Sequence, residues 1–231
     1  MVYITGDMHR DFTRIESFCQ QLKTTIKDVM IILGDAGINN YGIEKDRQLK
    51  QVLSRLPLTL FCIHGNHEQR PQRIAGYTET TWHGGTVFME PEHPNLLFAK
   101  DGEIFDFDGR KCIVIGGAYS VDKFFCLAHG WSWWEDEQPS DEIKSQVEKR
   151  LEKENWRVEV VLSHTCPLKY EPTEVFLSGI NQSTVDKSTE KWLGSIEQHL
   201  QYEEWYCGHY HTIKKVDKLL FMYKDISAFS F

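Results

Sequence analysis

Short apolar runs rich in β-branched and aromatic residues recur along the chain, at residues 2–5, 29–33, 58–63, 111–115, 158–162 and 205–207. Each predicts a strand. Helix-period segments lie between several of them. Ile15, Phe18, Cys19 and Leu22 share one face, and Leu49, Val52, Leu53 and Leu56 another. A third helix is expected from Ser140, an N-cap followed by Asp141 and Glu142, with Ile143, Val147 and Leu151 as its apolar stripe. A fourth carries Trp192, Leu193, Ile196 and Leu200. This alternation predicts an α/β fold. Residues 96–115 differ, because Asp101-Gly102 and Asp108-Gly109 separate short strands and predict a β-meander. Residues 213–231, punctuated by Asp217-Lys218 and Lys224-Asp225, read as another hairpin. A mixed sheet, or two sheets, follows. With no repeat, low-complexity tract or Gly/Ser linker, one domain over residues 1–231 is expected.

The polar residues that end these strands carry the chemistry. The first strand runs into Gly6-Asp7-Met8-His9 and the second into Gly34-Asp35. The third meets His64-Gly65-Asn66-His67-Glu68, and the last two meet Ser163-His164 and Gly208-His209-Tyr210-His211. In open α/β sheets the ligand site lies beyond the carboxyl ends of the strands, so these five ends can converge. Two carboxylates, several imidazoles and an amide suit borderline divalent ions such as Mn, Fe, Zn, Co or Ni rather than Ca. Seven candidate ligands exceed the needs of one tetrahedral ion and suit two ions sharing a carboxylate. A lone histidine is most simply structural; five such strand ends together reverse that reading.

Composition narrows the partners. The 231 residues carry a net charge of −8, which argues against a long electrostatic grip on nucleic acid or an anionic membrane. The longest apolar runs, 29–33 and 58–63, fall far short of the ~18 residues that span a bilayer. The polar segment at residues 6–9 stands where the apolar core of a secretory leader would lie, so none is expected. Six scattered cysteines without a CxxC predict buried thiols and a cytoplasmic protein.

The ordered motifs Asp7-Met8-His9, Gly34-Asp35, Gly65-Asn66-His67-Glu68, Ser163-His164 and Gly208-His209-Tyr210-His211 resemble the calcineurin-like metallophosphoesterase superfamily, whose pattern is DxH, GD, GNH(D/E), H and GHxH. The resemblance implies a four-layer sandwich of two mixed β-sheets flanked by helices, with a dinuclear metal site at the strand ends. It implies that Asp7, His9 and His211 hold one ion, that Asn66, His164 and His209 hold the second, and that Asp35 bridges them. His67 would stay off the metals, contact the phosphate and serve catalysis. Two divalent transition-metal ions, manganese favoured, would activate water for in-line attack on a small phosphomonoester or phosphodiester, nucleotide-like among them.

Departures from the family bear on the substrate. Protein-phosphatase relatives read GDxVDRG at the second motif, where this chain has Gly34-Asp35-Ala36-Gly37-Ile38-Asn39, and they lack the last histidine of GHxH. Asn39 is a candidate to orient His67 or contact substrate. Arg70, in Gly65-Asn66-His67-Glu68-Gln69-Arg70, is a candidate phosphate contact against a plain surface arginine. A small ester therefore ranks above a phosphoprotein, and a non-catalytic metal- or phosphate-binding module is the rival class. Residues 119–139, with Tyr119, Phe124, Phe125, Trp131, Trp133 and Trp134, read equally as an aromatic cap over the site or as a plug in the core between the sheets. The helix over residues 142–154 reads as a solvated face, and His64, His83, His93, His129 and His199 as structural or surface residues.

Overall fold

The computed structural model describes residues 1–229; residues 230 and 231, at the end of the expected C-terminal hairpin, lie outside the described residues. Thirteen strands and five α-helices are described. The strands are β1 Val2–Thr5, β2 Val29–Ile32, β3 Thr59–Cys62, β4 Thr78–Trp82, β5 Gly85–Met89, β6 Leu96–Ala99, β7 Ile104–Phe107, β8 Arg110–Ile115, β9 Val160–Ser163, β10 Glu204–Cys207, β11 Lys214–Val216, β12 Leu219–Phe221 and β13 Ile226–Ala228. The helices are α1 Thr13–Leu22, α2 Ile43–Leu53, α3 Lys123–Ala128, α4 Asp141–Lys153 and α5 Ser188–His199.

The strands form two mixed sheets. One has the order β13-β1-β2-β3-β6-β5-β4 and the other β11-β12-β10-β9-β8-β7. Period-two alternation decides what each sheet buries on each side. On β2, Val29 and Ile31 join a core shared with Phe105, Phe107, Val114 and Leu162 of the second sheet. Met30 and Ile32 point the other way, onto Ile15 and Cys19 of α1 and Leu53 of α2. The outer face of the second sheet is covered in the same way, with Val147 and Leu151 of α4 and Leu193 and Ile196 of α5 on Ile113, Val161 and Trp205. Helix, sheet, sheet, helix is the four-layer α/β sandwich expected from the sequence.

The helices begin and end for local reasons. Ser140 caps α4, its hydroxyl oxygen accepting the Ile143 N–H at 3.4 Å, with Asp141 and Glu142 in the first turn and Arg150 and Lys153 in the last. Lys23, in the left-handed region at φ 52°, closes α1 by donating its N–H to the Cys19 carbonyl.

Two expectations are corrected. Residues 96–115 do not form a meander: β6 belongs to the first sheet, and the chain crosses to the second at Asp101-Gly102 before the β7–β8 hairpin. Asp101 fixes that crossing, accepting the Gly116 N–H at 2.6 Å on Oδ1 and pairing through Oδ2 with Arg70. The C-terminal segment is likewise split, with β11–β12 a hairpin in the second sheet and β13 pairing with β1 in the first. The hairpin β4–β5 was not foreseen, because Thr78, Glu79, Thr80 and Thr81 are all exposed and carry no apolar alternation.

What matters for the site is direction. Strands β1, β2 and β3 run parallel, with Val2, Val29 and Thr59 in register, and β9 and β10 run parallel in the other sheet. Their carboxyl ends bring all five motifs to one rim of the sandwich.

Candidate functional site

Tight turns let these strand ends approach one another. Gly34 sits at φ +92°, and a Cβ there would lie 2.1 Å from His164 Nδ1. A Cβ on Gly208 would lie 2.3 Å from Asp7 Oδ1, so the last motif can close onto the first only through glycine. His9, Asp35, His209 and His211 also have left-handed backbones, with φ of 45°, 48°, 66° and 50°. Such conformations cost of order 1–3 kcal/mol each for residues with a side chain and cluster where function demands them. Arg14 holds the first turn, donating from Nη2 to the carbonyls of Asp7 at 2.7 Å and Gly6 at 3.0 Å.

The seven side chains expected at the site come together in two groups. In the first, Asp7 Oδ2 lies 3.1 Å from His211 Nε2 and 3.8 Å from His9 Nε2, and the two ring nitrogens are 2.8 Å apart. These three residues offer ligand atoms that all lie within 4.8 Å of one another. In the second, Asn66 Oδ1 lies 2.8 Å from His164 Nε2 and 3.0 Å from His209 Nδ1. Asp35 stands between them, its Oδ2 4.0 Å from His9 Nε2 and its Oδ1 3.6 Å from His164 Nε2.

Whether these residues fit a cation can be read from their hydrogen bonds. His164 Nδ1 is 2.7 Å from the Leu33 carbonyl, which can only accept, so Nδ1 carries the proton and Nε2 presents a lone pair. Asn66 donates its amide to Ser120 Oγ at 2.9 Å, which turns Oδ1, also an acceptor, toward that lone pair. Two acceptors 2.8 Å apart repel unless they share a positive charge. In the first group, Asp7 Oδ2 is buried and receives no well-formed hydrogen bond, while Oδ1 accepts the His209 N–H at 3.0 Å. Both groups therefore present unsatisfied lone pairs from imidazole, carboxylate and amide, the donor set of a divalent transition metal.

Electrostatics follow the same lines. Burial alone would push Asp35 up, but the rings of His164, His67 and His9 hold it well below the ordinary carboxylate range. Burial, reinforced by His164, depresses His209 to about 3, and burial lowers His9. These rings are then neutral at physiological pH, the form that ligates metal. The polar contact with Asp7 pushes His211 up.

A cavity of about 340 Å³ opens from this cluster, with Asp35, Asn66, His67, His209 and His211 at one end. His67 sits at the edge of the first group, its ring 5.7 Å from that of His9 between centroids. Its backbone N–H donates to Asp35 Oδ1 at 2.9 Å, and its ring Nε2 faces Asp122 Oδ1 at 3.9 Å. Glu68 secures the same turn, its Oε1 accepting the Gly65 N–H at 2.8 Å.

Three expectations fail here. Asn39 does not orient His67: its amide exchanges hydrogen bonds with the Tyr77 hydroxyl at 2.9 and 3.1 Å, and it does not line the cavity. Arg70 is not a surface arginine and does not line this cavity; it lines a separate one with Arg73, Glu135 and Asp136. It is 4% exposed, paired with Asp101 and donating to the Asp136 carbonyl at 2.9 Å, so it ties the third strand's loop to the sheet crossing. The tryptophans of residues 119–139 form neither a plug nor a stacking lid. Trp131 is 61% exposed, Trp133 donates to Glu137 and Trp134 to Asn40, while the core between the sheets is built from Phe61, Phe105 and Phe107. Only Tyr119, Val121 and Asp122 of that segment reach the cavity.

The sequence reading missed the apolar wall. Val175, Phe176, Leu177, Ile180 and Val185 line the cavity from an irregular segment between β9 and α5. Five apolar residues without strand or helix period were the available signal. Glu190, in the first turn of α5, was also missed: it is buried, lines the cavity and is pushed up to about 7 by burial. A folded-state pKa raised from the ordinary 4.5 means that the native chain binds the extra proton, so stability falls as pH rises from about 4.5 to 7. Glu190→Gln is therefore expected to remove that decline, by an amount on the order of 3 kcal/mol at full effect. Thermal melts of chelator-treated protein at pH 5 and pH 8 check it, and an unchanged difference between wild type and variant would refute it.

Comparison with known proteins places these observations. The family model for calcineurin-like phosphoesterases matches residues 1–224. A search of curated proteins found no match. Among solved structures, the fold is similar to that of TT1561 of Thermus thermophilus, at 13% identity and a TM-score of 0.53, covering 96% of this chain and 87% of that one. A partial likeness joins it to AQ665 from Aquifex aeolicus, titled a protein of unknown function, at 13% identity and a TM-score of 0.34, covering 74% of this chain and 81% of that one. At 13% identity the first likeness speaks for the fold. No helix among the described residues is long and apolar enough to cross a membrane.

Proposed function

We propose that this chain, which belongs to the calcineurin-like phosphoesterase family, is a hydrolase of small phosphate esters that works with two divalent transition-metal ions, manganese favoured. Asp7, His9 and His211 would hold one ion, Asn66, His164 and His209 the other, and Asp35 both. The observation that carries this reading is the pair of facing, unsatisfied acceptor groups joined through Asp35. When bound, such ions supply the Lewis acidity that activates water and offsets the charge of the phosphoryl group.

The chain's own residues do the rest. The buried carboxylates of Asp7 and Asp35 fix the two groups a short distance apart, and the left-handed turns hold their rings rigidly. His67, beside His9 at the edge of the first group and facing the cavity, is placed to give a proton to the departing oxygen. Asp122 would orient it. A phosphoprotein is disfavoured as substrate, because no arginine or lysine lines the cavity among the described residues. All six cysteines are buried and unpaired, which supports a reducing compartment and the cytoplasm.

The test is metal analysis joined to hydrolysis. Protein stripped by a chelator and reloaded with manganese is expected to hold two ions per chain and to cleave 4-nitrophenyl phosphate or its bis-ester. Ratios between the two esters would rank monoester against diester. A stoichiometry of one or less after reloading overturns the two-ion proposal. Two ions without hydrolysis of any ester would favour a binding module.

A further inference from the structure

The cavity, about 340 Å³, is larger than a phosphate needs, and its lining is of two characters, polar and apolar. Besides the histidines it is lined by Val175, Phe176, Leu177, Ile180 and Val185, with the Phe176 ring near-parallel to Tyr210, between His209 and His211, at 6.1 Å between centroids and 16° between planes. Such a wall gains free energy only by covering an apolar body.

Two carboxylates of the cavity lining, Asp122 and Glu190, each keep a buried oxygen without a hydrogen-bond partner among the described residues, and of the two only Glu190 is buried as a whole residue. Glu190 is 3% exposed. Its Oε1 accepts the Thr165 hydroxyl at 2.8 Å, and Thr165 Oγ1 is 3.1 Å from the Tyr210 hydroxyl, which links the carboxyl to the residue between His209 and His211. Oε2 is buried without any donor. A buried carboxyl oxygen left unpaired is costly, and a ligand that brings a donor recovers that cost. The charges around the chamber limit the donor's nature. Asp122, Glu171 and Glu190 line it with no lysine or arginine among the described residues, and Lys187, over the Phe176 ring, is already paired with Glu171 at 2.6 Å.

We infer that the organic part of the ester lies against the 175–185 wall and that Glu190 Oε2 accepts a hydrogen bond from an amino or hydroxyl group on it, so that preferred substrates are phosphate esters of neutral or cationic alcohols with an apolar body. The inference rests on the phosphoesterase reading above, whose site it completes. The elevated pKa of Glu190 agrees with a carboxyl that burial has left short of partners.

The test compares matched aryl esters on the manganese-loaded protein: 4-methylphenyl, 4-(2-aminoethyl)phenyl and 4-carboxyphenyl phosphate. The corresponding benzylphosphonates, which cannot be hydrolysed, are titrated by calorimetry. The amino compound is expected to exceed the methyl compound by about tenfold or more in both kcat/KM and affinity, as for a hydrogen bond to a charged group, with the carboxy compound weakest. Glu190→Gln and Glu190→Leu should shrink the amino-over-methyl ratio toward unity, whereas Glu171→Gln should leave most of it. No preference in the wild type overturns the inference, whether or not the variants fold. So does a preference that survives both Glu190 variants or disappears with Glu171→Gln alone. Ester hydrolysis without discrimination would sink this inference and leave the phosphoesterase reading standing. Discrimination among phosphonates without hydrolysis of any ester would uphold the Glu190 contact and sink the catalytic reading.

Discussion

Asp35→Asn is expected to cost both metal ions together and about 10³-fold or more in hydrolysis. Asp35 is 2% exposed and, among the described residues, its side chain reaches both groups, 4.0 Å from His9 Nε2 on one oxygen and 3.6 Å from His164 Nε2 on the other. Asparagine has the same shape but only one acceptor. If that oxygen keeps the His67 N–H, the amide nitrogen turns toward His9 and presents a donor where a cation should sit. Metal ions contribute several kcal/mol to a phosphoryl transition state, and each 1.36 kcal/mol is a factor of ten in rate. Elemental analysis after dialysis reads the first effect and single-turnover hydrolysis the second. Asp7→Asn is the control: its Oδ2 belongs to the first group alone, so that group should empty first. Loss of one ion from Asp35→Asn with the other held at wild-type affinity would show that Asp35 bridges nothing.

Asp35 was legible in the sequence for the same reason that it matters. A polar residue one glycine beyond a run of five apolar positions, 29–33, stands at a strand end, and parallel strands put such ends on one rim. That logic reaches Asp7, His9, Asn66, His164, His209 and His211, all of which the structure brings together. It does not reach residues whose role is set by where the chain crosses between sheets. Arg70 follows the third motif in sequence, but Asp101 at the crossing captures it, and Tyr77 captures Asn39. The tryptophans at 131, 133 and 134 carry no periodicity that distinguishes surface from core, and hydrogen bonds to Glu137 and Asn40 hold the last two at the surface side of the fold. The wall at 175–185 is built from short 3₁₀ turns, Thr173–Val175 and Gln182–Thr184, that leave no hydrophobic period to read. Glu190 looks in sequence like any first-turn helix glutamate, and only the tertiary contact with Thr165 reveals it as buried.

His67→Ala separates the two halves of the proposed chemistry, because the His67 ring meets the first group only edge-on at His9, 5.7 Å between ring centroids, and turns its Nε2 toward Asp122. Its backbone N–H is tied to Asp35 and its Nε2 faces Asp122, so removing the ring should leave both ions and the fold in place. What is lost is the proton for the departing oxygen, an effect worth ~10²–10⁴ in rate. The loss must then depend on the leaving group. An alkoxide needs the proton and should suffer the full factor, whereas 4-nitrophenolate leaves without it and should suffer little. Asp122→Asn, which keeps the ring but removes the charge opposite it, is expected to reproduce the same dependence with a smaller factor. Measuring kcat for an alkyl and a nitrophenyl phosphate on wild type and both variants, with metal content determined in parallel, decides the matter. Equal loss on both esters would assign His67 to the phosphoryl oxygens, as the family resemblance alone would suggest. Loss of metal in His67→Ala would place the ring in the metal groups, against the separation that its contacts with Asp35 and Asp122 describe.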